Sequence, residues 1–368
     1  MTRITEYLSE GSRIFLTGFK NRFKPSEYAG NANQICRKIV KDCWNGQYFQ
    51  TSTGNFAQFW SRDFGWCTAS LLKLGYESEV KQTLKYALNR FMDADKVTTT
   101  ITAKGKPFDF PTTAVDSLPW LIHSLKLSKC YYGTYRDFLN KEIQKLFDDV
   151  INIETGLVKK NLHVSSMKDF SVRSSSCYDN CMIALLAKDL QGMTGLINPF
   201  KEYNYPKLIT IHFWNGNYFY DDLSQQEYVA GDANLFPFIL GIISDEDMLR
   251  LAMGMIQTAG LDKPLPLKYT AERKGVKFIM QEYFLHNYES NTVWTHMGPL
   301  FIKLMQKVDK ITADEYEAKY RQLIEKYLGY PEVLTVVGSG DSMEVKPFKT
   351  PFYVCDQGML WAANYLTL

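Results

Sequence analysis

The stretch Phe59-Trp60-Ser61-Arg62-Asp63-Phe64-Gly65-Trp66 sets two tryptophans around an adjacent arginine and aspartate, then runs into the apolar segment 67–74. Aromatic faces stack on the apolar faces of pyranose rings, and a guanidinium beside a carboxylate donates to and accepts from neighbouring hydroxyls in fixed directions. One reading is therefore a sugar site, with Trp60 and Trp66 as walls and Arg62 and Asp63 as a clamp. The competing reading is a structural ion pair and two core tryptophans at a helix start. Residues 67–74 read as a helix closed by Gly75. Residues 78–92 read as its partner, with Val80, Leu84, Ala87 and Phe91 on one face. Two helices joined by a glycine turn make an αα-hairpin.

The same arrangement recurs outward in both directions. Residues 5–16 and 31–45 precede the motif as amphipathic helices; residues 115–127, 132–150, 177–190, 233–242, 245–259, 293–308, 313–328 and 357–366 follow it. Residues 97–102 form a short β-branched excursion. Residues 209–214 alternate apolar and polar side chains before the turn Asn215-Gly216-Asn217, which predicts a small hairpin over 207–222. No strand-helix alternation points to a parallel sheet, and no regular period of about 20 to 50 residues points to a solenoid. Roughly a dozen paired helices with irregular aromatic loops predict an all-α protein. The expected architecture is an (α/α)6 toroid of six helical hairpins, with long loops and a small β-hairpin on one face, residues 1–368 forming one catalytic barrel.

Composition narrows the function classes. The 368 residues are 45% hydrophobic and 22% charged, and the net charge of +2 is spread without a basic face, which argues against a nucleic-acid partner. Aromatics reach 14%, with 23 Tyr, 23 Phe and 7 Trp, in excess of what a core needs and suited to an amphipathic ligand such as a carbohydrate. Seven cysteines form no paired framework and no CxxC spacing; Cys177 and Cys181, one helical turn apart, have no further ligand nearby, so no metal or other cofactor is expected. The residues Met1-Thr2-Arg3-Ile4-Thr5-Glu6 are charged and polar where a secretory leader needs an apolar run. No window approaches the roughly eighteen apolar residues of a membrane span. The expectation is a cytoplasmic protein without a membrane partner.

Five segments resemble, in order, those of the (α/α)6 glycoside hydrolases that include glucoamylase, trehalase, processing α-glucosidase and the glucosidase of glycogen debranching. Trp60-Ser61-Arg62-Asp63 is similar to a W-x-R-D segment, and Ala114-Val115-Asp116-Ser117-Leu118-Pro119-Trp120 to a VDAxxWF helix start. Residues 288–299, from Tyr288-Glu289-Ser290-Asn291 to Trp294-Thr295-His296, resemble YHNGxVWPHxxP; Gly329-Tyr330-Pro331-Glu332 resembles GLPEL, and Gln357 to Trp361 a QAWS helix.

The resemblance implies an inverting exo-acting hydrolase of an α-linked glucosyl or mannosyl residue, working with an acid and a base on loops of one barrel face, about 6.5 to 9.5 Å apart. Asp169, in Ser165-Ser166-Met167-Lys168-Asp169, matches the acid segment, with Ser166 where the family has tryptophan. Glu332 matches the base, and Glu344 is the alternative from the same final loop. Arg62 and Asp63 would clamp the terminal sugar with Trp60, Trp66, Asp116, Trp120, Tyr288, Trp294 and His296 around it. Read alone, Asp116 also suits a helix cap, Asp179 a cap or second acid, and His163 and His296 structural histidines. The alternatives on the same barrel are a phosphorylase or epimerase, for which Gly338-Ser339-Gly340 is the phosphate candidate, and a carbohydrate-binding protein with a decayed site.

Overall fold

The protein is described by a computed structural model over residues 2–23, 26–273 and 275–368. The helices, in order, are α1 (Thr2–Phe23), α2 (Ala32–Cys43), α3 (Ser61–Lys73), α4 (Glu77–Asp93), α5 (Ser117–Ser128), α6 (Arg136–Val150), α7 (Cys177–Leu190), α8 (Tyr205–Phe213), α9 (Gly231–Ile239), α10 (Glu246–Thr258), α11 (Met297–Val308), α12 (Lys310–Tyr327) and α13 (Ala362–Tyr365).

From α2 onward they alternate between two layers. Helices α3, α5, α7, α9, α11 and α13 touch in that order, and α13 returns to α3, closing an inner ring of six. The even-numbered helices supply the outer layer: α4 packs on α3 and α5, α8 on α7, α10 on α9 and α11, and α2 on α12 and α13. Six hairpins thus close as an (α/α)6 toroid. Sequence patterning sorts the layers. Every residue of α7 except Lys188 is buried, as a helix enclosed on all sides requires, whereas α4 buries only a stripe including Val80, Leu84, Ala87 and Phe91. Gly65 lets α3 and α5 approach closely, since a Cβ there would lie 2.6 Å from that of Trp120.

Two antiparallel three-stranded sheets join the loops at one end of the barrel. The first is β1 (Phe59–Trp60), β2 (Thr100–Ile101) and β3 (Pro107–Phe108); the second is β4 (Val293–Trp294), β5 (Val333–Val337) and β6 (Glu344–Pro347). Trp60 pairs with Thr100 and Trp294 with Val333. Because β1 leads directly into α3 and β4 leads into α11, both sheets sit at the N-terminal ends of inner helices. Helix α1 lies along this face: Arg13 donates to the Asn55 carbonyl at 2.8 Å, the Tyr7 ring meets Phe108 at 5.0 Å, and Arg22 donates to the Thr350 carbonyl at 2.5 Å.

Three expectations change. Residues 205–213 are helical, not a strand: the Asn204 side chain caps the Lys207 N–H, Pro206 sits in the first turn, and Ile209 and Phe213, four apart, are buried together. Only the turn of the expected hairpin survives, as a single antiparallel bridge between Trp214 and Phe219. The helix expected from residue 67 begins at Ser61, so the Arg62-Asp63 pair occupies its first turn. The one expected over 357–366 shrinks to four residues.

Candidate active site

Helix N-termini carry unsatisfied N–H groups and the positive end of the macrodipole, and so favour acidic side chains. The inner ring points six such ends at one face. Asp63, Asp179 and Asp232 lie in the first turns of α3, α7 and α9, and Asp116 stands at the start of α5. At this face lies a cavity of about 60 Å³, lined by Trp60, Arg62, Asp63, Trp66, Asp169, Tyr288, Trp294, His296 and Glu332. Nine residues singled out from the sequence therefore meet in one place.

Asp116 and Trp120 do not line the cavity. Arg62 donates through Nε to Asp116 Oδ2 at 2.6 Å and through Nη2 to the Ser165 carbonyl at 2.5 Å. Tyr178 donates to the same Asp116 oxygen at 2.9 Å, and Trp120 Nε1 donates to Tyr178 Oη at 3.1 Å. Asp116 is fully buried and makes no cap bond. Asp116 thus holds Arg62 directly, and Trp120 reaches that pair through Tyr178. Asp63 accepts from Trp361 Nε1 at 2.9 Å; burial pushes its carboxyl up to about 6 against the opposing pull of Arg62.

Asp169 stands on the loop between α6 and α7. The segment before it is pinned by Ser165 N–H to the Thr113 carbonyl at 3.0 Å and by Val115 N–H to Ser166 Oγ at 2.8 Å. Ser166 is thus buried backbone support, and Met167, held at φ 57°, lines the cavity. Lys168 is fully buried between Asp221 (3.1 Å) and Asp232 (3.0 Å), with its ammonium 5.2 Å from the centre of the Tyr269 ring. Arg173 reaches Asp232 at 3.1 Å and donates to the Ser166 carbonyl at 2.5 Å. Two cations and two carboxylates therefore brace the acid loop on both sides of Asp169. Burial holds the Asp169 carboxyl well above its ordinary value; Arg62 opposes this, while Glu289, Asp116 and Asp63 reinforce it.

Glu332 lies between α12 and α13. Tyr288 donates to its Oε1 at 2.6 Å, Tyr353 to its Oε2 at 2.5 Å, and the Asp356 N–H to Oε2 at 3.2 Å. Burial pushes its carboxyl up to about 7, opposed by the two phenol donors. In the ring of six, α7 and α13 stand opposite each other, so the loops bearing Asp169 and Glu332 enter from opposite sides. Glu344 is exposed on β6 and does not line this cavity.

The walls are aromatic. His296 stacks on Trp66 with ring centres 4.4 Å apart and planes at 4°, while Trp294 and Trp361 meet it edge-on at 5.4 and 5.0 Å. Burial and neighbouring Arg62 hold His296 well below its usual value, so it is neutral. Trp60 and Trp66 line the cavity with buried indole N–H groups that have no hydrogen-bond partner among the described residues. His163 lies apart at another cavity. The cap of α7 is Ser176, whose hydroxyl accepts the Asp179 N–H at 3.0 Å and donates to Asp179 Oδ2 at 2.7 Å; Asp179 sits in the first turn and lies outside the pocket.

Sequence reasoning missed Glu289, Tyr269, Trp361, Met167 and Tyr353. Glu289 and Trp361 lay inside segments already singled out, and a carboxylate next to Tyr288 was a usable signal. Tyr269 and Tyr353 sit in loops without periodicity or motif. No cluster of His, Cys, Asp or Glu suited to a metal occurs among the described residues, and their cysteines are all buried and unpaired. No helix is long and apolar enough to cross a membrane among the described residues.

No family model matches the sequence, and no curated protein matches it by sequence. Solved structures do match. A rhamnosidase from Klebsiella oxytoca with rhamnose bound aligns over 93% of this chain and 64% of its own, at 9% identity and a TM-score of 0.59. A glutamate-to-alanine variant of a glycosidase in complex with glucose aligns over 97% and 96%, at 10% identity and 0.63. The GH63 mannosylglycerate hydrolase from Thermus thermophilus in complex with Tris aligns over 91% and 98%, at 10% identity and 0.59. The chain thus spans somewhat less than two thirds of the rhamnosidase and nearly all of the other two. Identities this low speak for the fold, which is the (α/α)6 barrel of these glycosidases.

Proposed function

We propose that this protein is an inverting, exo-acting glycoside hydrolase that releases an α-linked glucosyl or mannosyl residue from a small glycoside or oligosaccharide. The observation that carries the proposal is the convergence of Asp169 and Glu332, from loops before opposite inner helices, on one aromatic cavity that also holds Arg62 and Asp63. Inversion needs an acid on one side of the sugar and a base with room for water on the other. Asp169, kept protonated by its surroundings, donates to the leaving oxygen. Glu332, oriented by two tyrosines, takes the proton from the attacking water.

Arg62 and Asp63 bind hydroxyls that do not react, and that binding holds the anomeric carbon between the two carboxylates. Trp60, Trp66 and Trp294 supply stacking faces. A carboxylate at position 332 favours water over phosphate as the nucleophile, and supports hydrolysis above phosphorolysis. The compared glycosidases, which include a mannosylglycerate hydrolase and a glycosidase bound to glucose, support the sugar class.

The test is incubation of the purified protein with α-linked disaccharides, glycosylglycerates and maltooligosaccharides, with and without phosphate, while proton NMR follows the newly formed anomer. Free sugar of inverted configuration, independent of phosphate, is expected. A retained anomer would sink the mechanism, and silence across the panel with sugar binding intact would sink the activity.

A further inference from the structure

A fourth carboxylate lines the same cavity, beside Asp63, Asp169 and Glu332. Glu289 is almost entirely buried, and its carboxylate bonds the backbone of the loop that carries Asp169. Its Oε1 accepts the Asp169 N–H at 2.5 Å; its Oε2 accepts the Phe170 N–H at 2.8 Å and the Ser171 N–H at 3.0 Å. Three consecutive amides thus converge on one side chain that is remote in sequence. Such a concave run of N–H groups is an anion site, and here the anion is built into the protein.

We propose that Glu289 is a positioning residue for the acid: its carboxylate fixes the 169–171 turn through three amides, and its charge beside Asp169 keeps the proton on Asp169. For its catalytic consequence the inference rests on the glycosidase reading above. The physical reason is that two carboxyl groups in one poorly solvated pocket do not both ionise freely, so the one better supplied with donors takes the charge. Glu289 has three backbone donors, with Arg173 and Lys168 nearby; burial still pushes it up to about 7. Asp169 faces Arg62 as its cation, Glu289, Asp116 and Asp63 as repelling acids, and has a buried Oδ1 without a hydrogen-bond partner among the described residues. Arg62 is already committed to Asp116 and the Ser165 carbonyl. The donors therefore favour charge on Glu289 and a proton on Asp169.

The test is the titration of Asp169 itself, followed by carbon NMR of protein carrying [γ-13C]aspartate, with Asp169→Asn assigning the resonance. In Glu289→Gln, which keeps shape and loses charge, the apparent pKa of Asp169 should fall by about one unit, a tenfold loss of proton affinity. Glu289→Asp keeps the charge and shortens the reach; it should leave the titration high while kcat falls and KM stays near wild type. An Asp169 titration unmoved in Glu289→Gln, or lowered equally in Glu289→Asp, would overturn the proposal. Because the titration needs no substrate, it separates failure of this inference from failure of the glycosidase reading, which would show as a wild-type protein without turnover.

Discussion

Asp169 and Glu332 share one cavity, yet they are held by opposite means. The acid side is braced by charge: Lys168, Arg173, Asp221 and Asp232 below the loop, Arg62 and Glu289 around the carboxyl. Around Glu332 no cation stands at hydrogen-bonding distance among the described residues; its partners are two phenols and one amide. Burial raises both groups, so the difference lies in what opposes it. In the proposed mechanism, charges set against one another keep a proton on Asp169. Neutral donors favour the ionised form of Glu332 without binding it so tightly that it ceases to accept a proton. Similar dry surroundings thus hold the two carboxyls by different partners, as the proposed acid and base require.

The largest expected effect separates the two chemically. Asp169→Asn and Glu332→Gln should each lower kcat by about 10² to 10⁴-fold on an ordinary glycoside. A glycosyl fluoride, whose leaving group needs little protonation, should restore much of the turnover of Asp169→Asn and little of that of Glu332→Gln; equal rescue of both would erase the distinction. Next, Lys168→Met removes one cation from a buried quartet and leaves carboxylates uncompensated, at a cost of about 3 to 5 kcal/mol. Thermal unfolding should show this loss, and a Tm within a degree of wild type would mean that charge does not brace the acid loop.

A smaller effect tests the phenols. The free enzyme should lose kcat/KM as pH falls through about 7, where Glu332 takes up a proton. Tyr353→Phe removes a donor to the charged form and should move that acidic limb upward by about one unit, since such a bond is worth about 1.5 to 3 kcal/mol and one unit is about 1.4. A limb that stays in place would show that Tyr353 is only packing. At the small end, Glu344→Gln should leave kcat/KM within about twofold of wild type, as expected of an exposed carboxylate outside the pocket.

How far the sequence carried the reading follows from the kinds of signal involved. The toroid was legible because helical spacing recurs in about a dozen paired segments, with irregular aromatic loops between them and neither a solenoid period nor strand-helix alternation. Arg62, Asp63 and the aromatic walls were legible because they lie in short, dense motifs. Asp116 and Trp120 shared such motifs, but a linear motif does not say which side chain faces the ligand and which faces the backbone of its neighbour. Residues 205–213 misled because alternation over six residues also fits an outer helix that buries one residue in four, and the Asn204-Pro206 start decided for helix. Glu289 was hidden because its partners are three backbone amides about 120 residues away, and backbone donors leave no trace in composition.

The bond from Trp361 to Asp63 joins residues 298 apart. One half of the proposed sugar clamp is thus translated early and completed only when the final hairpin arrives, roughly 15 to 60 s later at ordinary rates of synthesis. Until then Asp63 lacks its indole partner and the ring of helices is open between α11 and α3. A nascent chain can form its first hairpins on the ribosome and still have no working pocket, so closure of the ring and onset of sugar binding should be one event in time.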